Sequence, residues 1–368
     1  FSTEKFLSLL LLFGGVVKFV LSFQTSFSAW LVLSILYSVL YMPTLSLTNS
    51  MAFAHLKNID SEWPRVRVMG TFGWIAASWL FPMIWLQSNL EFQVLPPFFV
   101  GTEVADATSR LGDTLKVSGI ISIFYALYCM SLPNTPPNRA ASERLAFMKA
   151  FSLLSKKSFA VLVLASLPIA IIHQIYFMQT GPFLENQLGL LVTYIAPAMT
   201  VGQFAEIAVM AILGMFIARF GFRRTIAIGA FAYFARYLIW GLISLQEPSG
   251  PSVDVSGQFI WTVPLVIGIF SQLLHGVCYA CFFASAYMYV DKIADDDIRN
   301  SAQTVFGIII LGLGPMLAAP LLGVLAKIFG EAGVVTDFAG MWLSLAAIAF
   351  ITSAVFFVAF TEDAESSI

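Results

Sequence analysis

The stretch PNTPPNRAASERLAFMKAFSLLSKKS, residues 133–158, separates the chain into two long apolar parts. It contains three prolines and five lysines or arginines, and long apolar segments precede and follow it. Because charged side chains are expensive inside a bilayer, such a segment is predicted to connect membrane helices outside the lipid. We therefore expect two helical domains, at 1–132 and 158–368, joined by a cytoplasmic linker at 133–157.

The overall composition points to a membrane protein. Hydrophobic residues make up 59% of the 368 residues and charged residues only 11%, whereas a soluble domain carries about 25% charged residues. This balance predicts an all-α protein that crosses a membrane several times. The net charge of -2, without a basic tail, gives no reason to expect nucleic acid as a partner.

The apolar segments are long enough to be membrane helices, since a helix needs about 20 mostly apolar residues to cross a bilayer. Ten segments meet this requirement, four before the linker and six after it. They are 6–23, 29–53, 67–87, 115–132, 158–178, 194–217, 225–245, 259–290, 301–325 and 339–360.

The orientation of these spans follows from the connections, because cytoplasmic loops are enriched in lysine and arginine. If the segment before the first span is cytoplasmic, fourteen such residues fall on the cytoplasmic side. Three fall on the opposite side, namely Arg110, Lys116 and Lys327. With ten spans, this orientation also predicts a cytoplasmic C-terminus.

The stretch GMFIARFGFRR, residues 214–224, resembles a cytoplasmic loop signature of the major facilitator superfamily, with Ala218 where an aspartate is usual. That signature follows the second helix of a six-helix bundle, and here it follows the second span after the linker. The resemblance implies a major facilitator fold of two six-helix bundles. We expect the first two of the twelve helices to be missing before Phe1.

One predicted helix carries a stripe of side chains suited to binding. Arg67, Thr71 and Trp74 stand at positions i, i+4 and i+7 and therefore share a face. Guanidinium and hydroxyl groups can form hydrogen bonds, and an indole can stack on a flat ring. The alternative for Arg67 is a side chain that snorkels from the cytoplasmic end of the helix.

Two further spans carry polar side chains. Gln203 and Glu206 share a helical face, and a carboxylate within a span is usually functional. The alternative for Glu206 is an ion pair with Arg236 of the next span. For Gln174, in another span, the alternative is a hydrogen bond between helices.

His275 and Tyr279 are spaced i, i+4 and lie next to Gly276, which allows another helix to approach closely. An aromatic pair of this kind is usually a packing feature. Cys278 and Cys281 form a CxxC within the same apolar helix, and we attribute this spacing to packing as well. The sequence shows no metal-ligand cluster and no catalytic motif. We therefore expect neither a metal site, nor a cofactor, nor enzymatic activity.

Five stretches resemble the nucleoside:proton symporter family of the major facilitator superfamily, the bacterial nucleoside and xanthosine permeases. The resemblance is collinear over the whole chain. It implies a monomeric transporter of the bacterial inner membrane, with a nucleoside and protons as its partners. The stretches are YMPTLSLTNS (41–50), PRVRVMGTFGW (64–74), GQFAE (202–206), HGVCYACFF (275–283) and IRNSAQ (298–303).

The resemblance also implies a binding site. Arg67 and Thr71 match positions that line the family's nucleoside pocket, and Trp74 stands where the family has a phenylalanine. Gln174, Gln203 and Glu206 match polar contacts for the base and the ribose. A carboxylate can accept from two ribose hydroxyls while amides read the edges of the base.

Besides Trp74, four positions depart from the family pattern. Phe177 stands in place of an asparagine, His275 in place of a tyrosine, Tyr279 in place of a phenylalanine and Ala280 in place of an aspartate. The last change removes a carboxylate, which leaves Glu206 as the strongest candidate for proton coupling.

Together, the residues and the resemblance predict a nucleoside importer that works by alternating access, with His275 and Tyr279 among its binding residues. Arg67, Thr71 and Trp74 are expected to face a central cavity together with Gln203 and Glu206. One alternative is a symporter of another small polar solute, such as a sugar. The other is a membrane sensor without transport activity.

Overall fold

A computed structural model describes residues 2–57, 59–136, 152–254, 258–294 and 299–362. At some helical positions, Arg67 among them, it describes the backbone and not the side chain. Most of the predicted linker, residues 137–151, lies outside the described residues. The described chain forms two compact units, Phe1–Glu91 with Gly101–Ala141, and Phe92–Val100 with Ser142–Ile368.

The first unit is built mainly from four helices of 17 residues or more. Two short strands, β1 and β2, pair after the third helix. The elements in chain order are α1 (Thr3–Leu21), α2 (Phe27–His55), α3 (Ile59–Trp85), β1 (Gln87–Phe92), β2 (Phe99–Glu103), α4 (Ala107–Arg110) and α5 (Asp113–Cys129).

Reciprocal glycines bring α1 and α5 together. A Cβ on Gly15 would lie 2.8 Å from the carbonyl oxygen of Gly119, and a Cβ on Gly119 would lie 2.9 Å from that of Gly15. This close approach lets Ser8 Oγ donate to the carbonyl of Ala126 at 2.7 Å. Small residues and serine hydroxyls are the usual means by which membrane helices pack, because apolar surface gains nothing from leaving lipid.

The second unit contains longer helices and two π-helical segments. Its elements are α6 (Lys157–Asn186), α7 (Val192–Ile243), α8 (Val263–Phe270), α9 (Leu273–Val277), a π-helical segment (Cys278–Ala284), α10 (Ser285–Ile293), α11 (Arg299–Gly307), a second π-helical segment (Ile308–Leu313), α12 (Gly314–Ile328), the antiparallel strands β3 (Gly330–Glu331) and β4 (Val334–Val335), and α13 (Phe338–Ala359).

Helix α7 reverses direction at Gly221, where φ is 74°. A straight helix would place Gly202 and Gly229 roughly 40 Å apart. Both nevertheless lie against one neighbouring segment, Gly202 beside His275 and Gly229 beside Phe282. Since these two neighbours are only roughly 10 Å apart along their own helix, the two halves of α7 run back along each other.

The core of the second unit is largely aromatic. Trp240, Trp342 and Phe183 are fully buried, with ring centroids 4.8 to 5.6 Å apart. Trp240 Nε1 donates to Ser271 Oγ at 2.7 Å, so its polar atom is satisfied inside the apolar layer. This layer lies beside the histidines described below.

Seven helical stretches of the described chain are long and apolar enough to cross a bilayer, judged by length and composition. They cover eight of the ten predicted spans, because two predicted spans fall within Val192–Ile243. The remaining two correspond to α1, which carries Glu4, Lys5 and Lys18, and to α5, which has 17 residues. Ten crossings therefore stay a prediction.

Candidate functional site

The predicted binding residues are divided between the two units. Arg67, Thr71 and Trp74 lie on α3 of the first unit. The other five lie on α6, α7, α9 and the following π-helical segment of the second unit: Gln174, Gln203, Glu206, His275 and Tyr279.

On α3, the predicted face is partly accessible. Thr71 is half-buried, and the indole of Trp74 is 38% exposed. The side chain of Arg67 lies outside what the structure describes. The prediction that these three residues act together stays a prediction.

In the second unit, two glycines bring the backbones of α7 and α9 close together. A Cβ on Gly276 would lie 2.4 Å from the amide nitrogen of Glu206, and one on Gly202 would lie 3.0 Å from the Cβ of His275. Only glycine permits such close helix contact. The contact brings the backbones of Gln203 and Glu206 next to His275, and all three were predicted as binding residues.

His275 lies within a group of aromatic side chains. Its ring is 1% exposed and stacks on Tyr176 at 5.0 Å and on His173 at 5.6 Å between centroids. Phe177 approaches edge-on at 5.9 Å. Tyr279 lies 6.4 Å from His173 and is half-buried. The group is therefore a buried aromatic stack, and Phe177 and Tyr279 are its more accessible members.

The most prominent group in this region is Arg236, which the sequence suggests only as an alternative ion-pair partner of Glu206. Its side chain is 0% exposed. The guanidinium carbon lies 4.0 Å from the ring centroid of Tyr176, 4.9 Å from that of Tyr237 and 5.4 Å from that of Tyr233. A cation over an aromatic face gains about 2 kcal/mol or more when both are desolvated, which helps to offset the cost of burial.

Arg236 does not form the predicted alternative ion pair with Glu206. Its Nη1 lies 2.8 Å from His275 Nδ1, and its Nη2 donates to Tyr237 Oη at 3.2 Å. Within the described residues, these hydrogen bonds reach no carboxylate. The buried cation is therefore held by neutral groups.

Further buried hydrogen bonds surround the guanidinium. Tyr176 Oη donates to Gln272 Oε1 at 2.6 Å, and Tyr233 Oη lies 2.8 Å from His173 Nδ1. Two donors in this layer, Arg236 Nε and Gln272 Nε2, are buried without a hydrogen-bond partner in the described chain. The layer is thus rich in donors.

A sequence signal for this layer does exist. Tyr233, Arg236, Tyr237 and Trp240 recur at helical spacing on one face of α7. Arg236 was recognised as an intramembrane charge, but nothing in its own span indicates a partner. The partner, His275, is 39 residues further along the chain.

Two other features of the second unit have no assigned role. Cys278 and Cys281 are free and buried, so the CxxC holds no disulfide, and Cys278 belongs to the hydrophobic core of this unit. An apolar pocket of about 410 Å³ opens between the second half of α7 and α13. Arg224 is the one charged residue in its lining, which contains none of the predicted binding residues.

Comparison with known proteins gives consistent matches. The family model described as "Nucleoside H+ symporter" matches residues 1–365. The chain is 31% identical to YegT of Escherichia coli (strain K12), over 99% of this chain and 80% of that protein. It is 24% identical to the xanthosine permease of the same strain, over 87% and 71% of the two chains.

A solved structure shares the fold. The crystal structure of a mutant of the nucleoside transporter NupG matches with a TM-score of 0.79 and 21% identity, covering 98% of this chain and 84% of that one. At this identity the likeness is one of architecture.

Proposed function

Because the chain belongs to the nucleoside H+ symporter family, and is thus a multi-pass membrane transporter rather than an enzyme, we propose that it imports nucleosides by alternating access. The resemblance found in the sequence is confirmed by the family match. Proton symport follows from the family, and a proton is the coupling ion.

The contact between α7 and α9 is the observation that carries the proposed binding role. It places the backbone of a carboxylate residue, Glu206, against the helix that bears His275, and the neighbouring Gly202 contacts His275 directly. Gln203 follows Gly202 in the chain. Glu206 then accepts hydrogen bonds from the ribose hydroxyls, and Gln203 with Gln174 reads the edge of the base. Tyr279 and Phe177 supply ring faces for stacking.

Three residues of α3 are further proposed contacts, by their resemblance to the family's pocket positions. Arg67 and Thr71 serve as donors to the nucleoside, and Trp74 stacks on its base. The accessible indole of Trp74 supports this role. Glu206 is the proposed proton-coupling residue, since a bound ribose favours its charged form and an apolar surrounding favours its protonated form.

The proposed topology has ten crossings in this chain. The proposed domains are residues 1–132, with four helices of one six-helix bundle, and residues 158–368, a second six-helix bundle with a short tail. A cytoplasmic linker at 133–157 joins them. The distribution of lysine and arginine supports a cytoplasmic C-terminus in the bacterial inner membrane. The working unit is a monomer.

Uptake by whole cells tests the proposal. Cells without their own nucleoside uptake would express the full-length protein and receive radiolabelled uridine, adenosine, guanosine, xanthosine or a hexose. We expect at least one nucleoside, and not the hexose, to accumulate, and a protonophore to reduce the accumulation. Hexose uptake without nucleoside uptake would show the substrate class to be wrong. Nucleoside uptake that the protonophore does not reduce would contradict proton symport but not nucleoside import.

A further inference from the structure

The contact between Arg236 and His275 determines where the histidine carries its proton. Arg236 Nη1 lies 2.8 Å from His275 Nδ1, and both side chains are buried. A guanidinium has only donors and stays protonated in proteins, so Nδ1 must accept. A protonated imidazolium has no acceptor. His275 is therefore neutral, and its one proton is on Nε2.

The guanidinium is held in place from several sides. It lies against the rings of Tyr176, Tyr233 and Tyr237 at 4.0, 5.4 and 4.9 Å. Its Nη2 donates to Tyr237 Oη, which in turn donates to the carbonyl of Ile172 at 2.9 Å. Arg236 therefore has no room to turn away from His275.

The Nε2 edge of His275 faces α7. A Cβ on Gly202 would lie 3.3 Å from His275 Cδ2, the ring carbon bonded to Nε2. Gly202 directly precedes Gln203 of the proposed site. Among the residues that the structure describes, none forms a hydrogen bond with His275 Nε2, so this donor is left without a protein partner there.

We infer that Arg236 is a positioning residue that fixes His275 as its Nε2–H tautomer. The transporter then presents a constant hydrogen-bond donor beside Gln203, and the nucleoside atom that meets it is an acceptor, a carbonyl oxygen or ring nitrogen of the base. An amino group at that position of the base would be disfavoured, since it would meet a second donor. This inference rests on the proposed function only in naming a nucleoside as the ligand.

The tautomer can be measured without any substrate. The chain contains three histidines, His55, His173 and His275, so the full-length protein would be labelled with ¹⁵N-histidine and purified in detergent. Nitrogen–proton correlation spectra at neutral pH distinguish protonated from unprotonated ring nitrogens. His275→Asn assigns the signal. We expect His275 in the wild type to show an unprotonated Nδ1 and a protonated Nε2.

Three variants separate positioning from folding. In Arg236→Met, Nδ1 loses its donor, and we expect the Nδ1–H tautomer of His275 to become populated. Arg236→Lys retains a donor and should restore the wild-type tautomer. Arg224→Met removes another arginine of α7, in the separate apolar pocket, and should leave the His275 signals as in the wild type. If Arg236→Met does not fold, the wild-type spectrum and the lysine variant still decide the question.

Nucleoside addition tests the ligand part. We expect a nucleoside that the cells take up to shift the Nε2 signal of His275 while Nδ1 stays unprotonated. A wild-type His275 protonated on Nδ1, or an Arg236→Met spectrum identical to the wild type, overturns the positioning role. An unshifted Nε2 with a transported nucleoside overturns the donor role toward substrate. If the cells take up no nucleoside at all, the proposed function is wrong. The tautomer measured for His275 still decides the positioning role of Arg236.

Discussion

Glu206 is the one carboxylate among the proposed binding residues, and its amide nitrogen packs against Gly276. Glu206→Gln keeps the size of the side chain but removes its charge and its ability to titrate. We expect nucleoside binding to weaken by about 1–3 kcal/mol, because charge-assisted hydrogen bonds to ribose are lost. The pH dependence of uptake should flatten, as measured by uptake of a transported nucleoside from pH 5 to pH 8.

Glu185→Gln is a matched control for this experiment. Glu185 is an exposed carboxylate near the end of α6 in the same unit, and its neutralisation should leave affinity and pH profile unchanged. Wild-type affinity and pH dependence in Glu206→Gln would mean that Glu206 serves structure alone.

His275 is expected to influence the choice of base. Its ring lies in a stack with Tyr176 and His173, and its free nitrogen is a donor toward the proposed site. His275→Tyr keeps an aromatic face but moves the polar atom outward. We expect uptake to persist while competition by purine and pyrimidine nucleosides changes relative to the wild type. An identical competition profile in the variant would contradict a role in base choice.

At the scale of elements, the contact between α7 and α9 depends on Gly276. In Gly276→Ala, the new Cβ would lie 2.4 Å from backbone atoms of Ala205 and Glu206, so the helices must separate. Overpacking of this kind costs about 1–3 kcal/mol. We expect a lower thermal unfolding temperature in detergent and reduced uptake.

Gly214→Ala provides the control on α7 itself. A Cβ on Gly214 meets nothing within 4 Å, and alanine favours the helix by about 0.5–1 kcal/mol. This variant should be as stable as the wild type or slightly more stable. Equal stability of the Gly276 and Gly214 variants would show that the close approach is not required.

The reversal of α7 depends on Gly221, whose φ of 74° suits glycine. Gly221→Ala should cost about 1–2 kcal/mol, because a Cβ is strained in the left-handed region. Gly323→Ala, at an open position on α12 with ordinary φ, is the comparison. We expect a lower unfolding temperature for the Gly221 variant only. A Gly221 variant as stable as the Gly323 variant would be inconsistent with this conformation.

The elements were largely predictable because apolar length identifies membrane helices, and the motif around Gly221 marked the turn between two spans. Close approach at Gly276 was also predicted correctly. The strands in the connections were not predicted, since β1 and β2 bury no alternating face and β3 and β4 have two residues each. The aromatic group around Arg236 was not predicted for a different reason. Its members lie on α6, α7 and α9, and the pattern of a single span does not show contacts between spans.

At the scale of the whole molecule, the predicted orientation can be tested by labelling. The native cysteines Cys129, Cys278 and Cys281 are buried, so they should contribute little background. A membrane-impermeant thiol reagent should label Arg110→Cys on intact spheroplasts and Arg144→Cys only after permeabilisation. The excess of lysine and arginine on one side is the physical reason. The reverse pattern of labelling would show that the protein has the opposite orientation in the membrane.

The distance in sequence between Arg236 and His275 sets an order of events during synthesis. The two residues are 39 positions apart, an interval of about 2–8 s at typical translation rates. During that interval the guanidinium lacks His275, which receives its hydrogen bond in the folded chain. The tyrosines whose rings contact it, Tyr176, Tyr233 and Tyr237, are translated before it or directly after it. The aromatic contacts of Arg236 can therefore form several seconds before its hydrogen bond to His275.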